Sequence, residues 1–385
     1  MSIKFKFKQL KNQSITLPIF LSRPYLDEED ISAVLEVLKS GNLVQGSKVL
    51  ELESKIKDRF GVSECSAVSN GTASLHLALL ALGIGKGDEV IVPAFSYIAT
   101  ANVVELVGAT PVFVDIDLAT FNLDVSKVEK KITQKTKCIM PVHEFGLCAD
   151  MDPILELAKK YNIPIIEDAA CAVGAKYKGN YAGTFGEFAS FSLHPRKSIT
   201  CGEGGVLVSN SSELDKKIKT LRNHGIEPNS FPMKFVEAGF NYRLTDFQAA
   251  MVSSQMRRLE TILTRKAELV KIYYNLLRKD IITLPFVPIG SEHSWQTFHV
   301  VLSNHATRNA LQEYLKKNQV FVNYGAQCMP EMDFYKNKYH FDSQQDFPNA
   351  YKAYSCGLAL PLCETTTEEE IIFVCELINK FQYAE

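Results

Sequence analysis

Four short apolar runs, each cut off by glycine, proline or aspartate, constrain this chain more than any other feature. They are Glu89-Val-Ile-Val-Pro93, Pro111-Val-Phe-Val-Asp115, Lys137-Cys-Ile-Met-Pro-Val142 and Pro164-Ile-Ile-Glu167. Runs this short and this continuous are what strands buried on both faces look like. Helical periodicity fills the gaps, at Tyr97 to Val107 and Met151 to Tyr161. Strand and helix alternating in this way predict an α/β fold with a largely parallel sheet. Phe188 to Leu193 and Gly205 to Ser209 read as two further strands, and Asp27 to Ser40, Val49 to Phe60 and Thr72 to Leu82 as helices.

A long helical segment, Thr245 to Asp280, follows the last of these strands. It predicts a division into a large domain over residues 1–255 and a smaller C-terminal α/β domain over 256–385. In the latter, His299 to Ser303 and Val320 to Asn323 read as strands, and Thr307 to Asn318 and Thr367 to Phe381 as helices.

Composition narrows the partners. The 385 residues carry 42 Lys and Arg against 44 Asp and Glu, a net charge of −2. That balance offers no general attraction to nucleic acid or to an anionic membrane. No run of 18 apolar residues occurs, so no membrane-spanning helix is expected. Nine scattered cysteines without a C-x-x-C pair predict free thiols and no metal site. Met1 to Leu17 is basic, with Lys4, Lys6, Lys8 and Lys11, and lacks the apolar centre of a signal peptide. The expectation is a cytoplasmic protein.

Four separated segments carry the candidate chemistry. Ser69-Asn-Gly-Thr-Ala73 opens a helix with small residues. Its free N–H groups and positive dipole end suit a phosphate, though Ser, Asn and Thr are also ordinary caps. Asp168 stands just past an apolar strand, at the edge where open α/β sheets bind ligands. It fits either a cationic ring nitrogen or the next helix as a cap. Lys197 falls between a strand and the glycines at 202, 204 and 205, which permit close backbone approach. Gly239-Phe-Asn-Tyr-Arg243 sets Asn241 and Arg243 before a helix capped by Thr245 or Asp246.

Read in order, these segments resemble the DegT/DnrJ/StrS family of aminotransferases, which depend on pyridoxal phosphate (PLP) and act on nucleotide-linked keto sugars. The matching motifs are Ser69-Asn-Gly-Thr72, Glu167-Asp-Ala-Ala170, Ser190-Phe-Ser-Leu-His-Pro-Arg-Lys197-Ser-Ile-Thr-Cys-Gly-Glu-Gly-Gly205 and Gly239-Phe-Asn-Tyr-Arg-Leu244. The likeness runs from about Leu17 to Phe381 and implies the fold-type I aminotransferase architecture.

The resemblance also implies roles. Lys197 matches the lysine that holds PLP as a Schiff base and then shuttles a proton. Asp168 matches the carboxylate that keeps the ring nitrogen protonated. Gly71, Thr72 and Ser192 match the phosphate site, and Tyr97 the aromatic stacked on the ring. Asn241 matches a residue that reaches the cofactor of a neighbouring subunit, which implies a homodimer with shared sites. His143, Arg243 and Tyr324 are the expected substrate contacts.

Three departures stand out. Cys171 occupies a position often held by Gln near the cofactor's phenolic oxygen. Gln327-Cys-Met-Pro330 lacks a histidine common in relatives. Glu144 replaces a more usual apolar residue and reads first as a surface carboxylate, with a side chain facing the substrate as the alternative.

The resulting expectation is transfer of an amino group from L-glutamate to a nucleotide-linked keto sugar, a 4-keto-6-deoxyhexose foremost, by a ping-pong mechanism for amino-sugar or polysaccharide biosynthesis. The alternatives are a PLP-dependent sugar dehydratase, whose relatives replace the lysine with histidine, and a non-catalytic regulatory protein on the same fold.

Overall fold

A computed structural model describes residues 15–382. Residues 1–14, with the lysines of the basic N-terminal stretch, and 383–385 lie outside the described residues.

The central layer contains β1 (Glu64–Val68), β2 (Glu89–Pro93), β3 (Thr110–Val114), β4 (Thr136–Ile139), β5 (Ile166–Asp168), β6 (Phe188–Ser192) and β7 (Gly205–Ser209). One sheet runs β1-β7-β6-β5 and another β3-β2-β4. Parallel bridges Ile139–Ile165 and Val142–Asp168 join the two. Only β7 is antiparallel to its neighbours; β5–β6, β2–β3 and β2–β4 are parallel pairs. The parallel strands therefore end along one edge, and the site lies there.

Strand alternation explains the continuous apolar runs. Val90 and Val92 pack into one core cluster while Ile91, between them, packs into the other. Likewise Val206 and Val208 face one side and Leu207 the opposite one. With both faces covered, Val90 to Pro93 of β2 and all of β7 are buried.

Helices α1 (Glu28–Ser40), α2 (Ser47–Phe60), α3 (Gly71–Ala81), α4 (Ala99–Leu106), α5 (Met151–Tyr161) and α6 (Ser212–Leu221) belong to this part of the chain. In α1 the Asp27–Asp30 capping box starts the helix, and Gly41, left-handed at φ 73°, ends it. A third core cluster gathers Leu269, Tyr273, Phe298, Val300, Leu358 and Ile371, together with Ile19 from the N-terminal side. Residues such as Cys328, Tyr335, Phe347 and Ala353 pack instead against the large sheet.

The structure departs from the sequence expectations in three places. β1 is a strand that no apolar run marks, because Ser66 interrupts it. Its buried hydroxyl is satisfied by Asp215 Oδ1 at 2.8 Å. The segment Thr245 to Asp280 is two helices, α7 (Asp246–Gln255) and α8 (Leu259–Leu276), separated by a 3-10 turn over Met256–Arg258. Val320 to Asn323 forms no strand; it contributes only single bridges, Ile19–Val320 and Asn323–Ala359. All nine cysteines are free. Among the described residues no helix is long and apolar enough to cross a membrane, and no cluster of His, Cys, Asp and Glu has metal-site geometry.

Candidate active site

Seven of the residues singled out in the sequence line one cavity of about 580 Å³: Gly71, Thr72, Tyr97, Asp168, Cys171, Ser192 and Lys197. The chain brings them together because β1, β5 and β6 run the same way in one sheet, and each hands its next loop to the same edge.

The turn after β1 builds the first wall. Asn70, extended at φ −169°, caps α3 by accepting from the Ala73 N–H at 2.7 Å. Two glycines allow this helix start to lie against the sheet. A Cβ at Gly71 would stand 3.1 Å from Ser192 Cβ, and one at Gly205 would stand 2.5 Å from the Asn70 carbonyl. The first-turn N–H groups of Gly71 and Thr72, with the Ser192 hydroxyl beside them, make a cradle suited to a phosphate.

The second wall is Asp168, the last residue of β5 and 5% exposed. Its Oδ2 accepts from Thr100 Oγ1 at 2.8 Å and its Oδ1 from the Ala170 N–H at 3.2 Å. Burial holds this carboxyl above its usual range. The Thr100 hydroxyl, the Ala170 N–H and the Lys197 charge pull against that. A cation delivered into the cavity would favour the ionised form, which is the requirement for holding a protonated ring nitrogen.

The third wall is the loop after β6. Its ends are tied by Thr200 Oγ1 donating to the Leu193 carbonyl at 2.7 Å and by the Cys201 N–H to the same oxygen at 3.1 Å. Lys197 rides on this loop, with its N–H on the His194 carbonyl and its Nζ donating to Cys171 Sγ at 3.0 Å. Burial pushes the Cys171 thiol up, so at neutral pH it is a thiol beside an amine, not a thiolate.

The four remaining expected residues lie elsewhere. His143, expected at the substrate, is fully buried. Its Nδ1 accepts from the Ala149 N–H at 3.1 Å and its Nε2 meets Glu167 Oε2 at 2.8 Å. The first contact fixes the tautomer, so Nε2 carries the proton toward Glu167. Glu167 is saturated in turn by the Gly183, Phe185 and Gly186 N–H groups. This buried network braces β5 and shows no face to the cavity. Arg243 donates to Asn223 Oδ1 at 2.6 Å, and Asn241, exposed, bridges Asn223. Tyr324, 39% exposed, packs edge-on against Tyr354, while its neighbours Gly325 and Ala326 reach the cavity.

Glu144 corrects its sequence reading. Expected on the surface, it is 3% exposed and lines the cavity. Thr100 and Gln296 also line it, and Lys266 stands behind the Lys197 loop with its Nζ on Ser198 Oγ at 2.9 Å. Nothing in their local sequence marked these three: a Thr at a helix start and a Lys in a basic helix read as ordinary. Burial pushes the Lys266 amine down to about 8.

An amine, a buried carboxylate and a helix N-terminus around one cavity are the three contacts that pyridoxal phosphate asks for. The residues fit that group, and the fold and site together define a pyridoxal-phosphate-dependent aminotransferase. When bound, the cofactor supplies an electron sink for the carbon that gains or loses the amino group.

The chain belongs to the DegT/DnrJ/EryC1/StrS aminotransferase family, whose profile matches residues 24–379. It is 38% identical to the GDP-perosamine synthase of Escherichia coli O157:H7 over 95% of this chain and 98% of that protein. It is 41% identical to the UDP-4-amino-4-deoxy-L-arabinose–oxoglutarate aminotransferase of Shewanella sediminis over 67% of this chain and 68% of the relative. Among solved structures, Spr1654 of Streptococcus pneumoniae, described as a sugar aminotransferase, superposes in its PMP-form with a TM-score of 0.89. That match has 30% identity and covers 95% of this chain and 97% of the other.

Proposed function

We propose that this aminotransferase takes an amino group from L-glutamate and delivers it to a nucleotide-linked keto sugar, with a 4-keto-6-deoxyhexose as the favoured acceptor. The two substrates enter in turn, in a ping-pong sequence, and the product feeds amino-sugar and polysaccharide synthesis. The observation that carries this reading is the pairing of Lys197 and Asp168 across one cavity. In this reading the amine holds the cofactor and the carboxylate its ring nitrogen. The name of the Shewanella relative supports the substrates: it pairs a 4-amino-4-deoxy sugar with oxoglutarate, the keto acid of glutamate.

In this reading Lys197 binds the cofactor through its amine and, once released, moves a proton at the reacting carbon. Asp168, held by Thr100, keeps the ring nitrogen charged. Gly71, Thr72 and Ser192 bind phosphate, Cys171 lies beside the attachment point, and Tyr97, 57% exposed at the cavity mouth, covers the ring. Arg243 and Tyr324, neither of which lines the cavity, are assigned to the sugar nucleotide only as that larger substrate extends past the mouth. Asn241 is assigned to the cavity of a second copy, so that a homodimer forms the complete sites.

The test is the absorbance spectrum of the purified protein before and after L-glutamate, followed by a panel of nucleotide-linked 3-keto and 4-keto sugars. Conversion of the band by glutamate and its return with 4-keto sugars is the expected result. A band indifferent to glutamate removes the donor assignment, and return with 3-keto sugars alone removes the acceptor assignment.

A further inference from the structure

Glu144 follows His143 past the end of β4, on the same sheet edge as Asp168. Its side chain lines the cavity, yet its Oε2 is shielded from solvent and has no hydrogen-bond partner among the described residues. Buried polar atoms are almost always paired, and one left over at a binding cavity points to a partner that arrives with a ligand. The groups facing Glu144 are the Asp168 carboxylate, the Lys197 amine, the Cys171 thiol, the Ser96 hydroxyl and the Phe145 backbone. Two buried acids thus share one cation. Burial first, and then the Asp168 charge, push Glu144 up to about 8, so it keeps its proton at neutral pH. A protonated carboxyl is a hydrogen-bond donor.

The cofactor's own chemistry says what such a donor meets. Four polar features surround its ring: the nitrogen, the phosphate arm, the carbon that takes the lysine amine, and a hydroxyl beside that carbon. The first three have partners in Asp168, in the α3 cradle and in Lys197. The hydroxyl lies next to the lysine attachment, where Cys171 and Glu144 stand. A thiol is a weak donor, which leaves the carboxyl.

We propose that Glu144 is a cofactor-binding residue whose carboxyl donates a hydrogen bond to the ring hydroxyl oxygen of pyridoxal phosphate. The proposal rests on Lys197 and Asp168 holding the ring as in the reading above. Glu144 then does what Cys171 cannot, and the two residues act as a pair.

The experiment uses holoenzyme and reads two quantities apart from turnover: the dissociation constant of the cofactor, and the midpoint pH of its lysine-linked absorbance band. Glu144→Leu keeps the volume and removes the donor. It is expected to weaken retention about tenfold and to raise the midpoint by about one pH unit. The direction follows because an oxygen that loses its donor holds the neighbouring proton on nitrogen more tightly. Glu144→Gln keeps a donor and is expected to stay within about twofold and about 0.3 unit of the parent. A Leu variant identical to the parent overturns the proposal. So does a midpoint that falls, since that would mean Glu144 acts as an anion. A Gln variant that loses tenfold in retention overturns it too, which keeps the test decisive should the Leu variant not fold. A Lys197→Ala protein that still shows the band overturns the attachment reading instead, and is distinguishable from all of these.

Discussion

The Lys197 amine donates to the Cys171 sulfur across 3.0 Å. That contact joins the loop after β6 to the turn after β5, and it aims the amine before any cofactor arrives. A neutral sulfur is a weak acceptor, so the contact orients more than it stabilises. Cys171→Ala is therefore expected to slow the glutamate half-reaction by less than about tenfold. Lys197→Ala should abolish it with the fold intact. Stopped-flow absorbance separates the two. A Cys171→Ala protein as inert as Lys197→Ala would place the thiol in the chemistry itself.

Thr100 controls Asp168. Its hydroxyl is the side-chain donor on Oδ2, and it favours the ionised carboxylate. Removing it in Thr100→Val shifts Asp168 further toward its neutral form. A hydrogen bond to a charged group is worth about 1.5–3 kcal/mol, so a rate loss of about tenfold or more is expected. Asp168→Asn, which removes the charge outright, should lose considerably more. The ranking of the half-reaction rates checks this; equal rates for Thr100→Val and the parent would contradict it.

Two buried groups set opposite pH dependences on the stability of the apoprotein. Glu144 titrates at about 8 when folded against an ordinary 4.5. Its contribution is full below about 4.5 and is lost as pH rises to about 8, with a slope approaching 1.4 kcal/mol per pH unit. Lys266 titrates at about 8 when folded against an ordinary 10.5. The unfolded chain holds the extra proton between those values, so stability rises over that second window. Urea unfolding from pH 4 to 10 is the measurement. Glu144→Gln should flatten the fall and Lys266→Met the rise. Parallel curves for parent and variants would remove both assignments.

Much of this site was legible because phosphate cradles, strand ends and glycine-rich turns leave local marks. Ser69 to Ala73 and Ser190 to Gly205 carry theirs in consecutive residues. The residues that escaped are those whose role depends on what packs over them. Glu144 looks like a surface acid until the cavity wall and Ser96 close around it. His143 looks available until the Ala149 N–H and Glu167 each take one of its ring nitrogens. β1 escaped for the same reason, since Ser66 looks like a strand-breaking polar residue until Asp215 is set opposite it. Long-range partners decide such cases, and no local window contains them.

Asn241 gives a test of assembly. It is exposed and does not line the cavity of its own chain. If it completes the site of a second copy, Lys197→Ala and Asn241→Ala chains should rescue each other. Mixed after unfolding and refolding together, half of the dimers would be heterodimers, each with one intact site, giving about a quarter of wild-type activity. Activity no greater than the sum of the separate variants would assign Asn241 to its own chain.

Gly205 is where the cradle depends on an absent side chain. Gly205 pairs with Val68 on one side and Ser192 on the other, directly beneath the Asn70–Gly71 turn. A Cβ there would lie 2.5 Å from the Asn70 carbonyl carbon and oxygen, and 2.8 Å from the Gly71 nitrogen. These are backbone atoms, so no side-chain rotation relieves the overlap; the turn must lift away from the sheet. Overpacking of this kind costs about 1–3 kcal/mol, and the displaced part is the first turn of α3. Gly205→Ala should therefore lower the urea midpoint. It should also weaken cofactor retention more than it weakens stability, because the N–H groups of Gly71 and Thr72 no longer converge on the phosphate. Inorganic phosphate protects the parent apoprotein against urea if the cradle binds it, and the Ala variant should lose that protection. Equal protection of both proteins would place the phosphate site away from this turn.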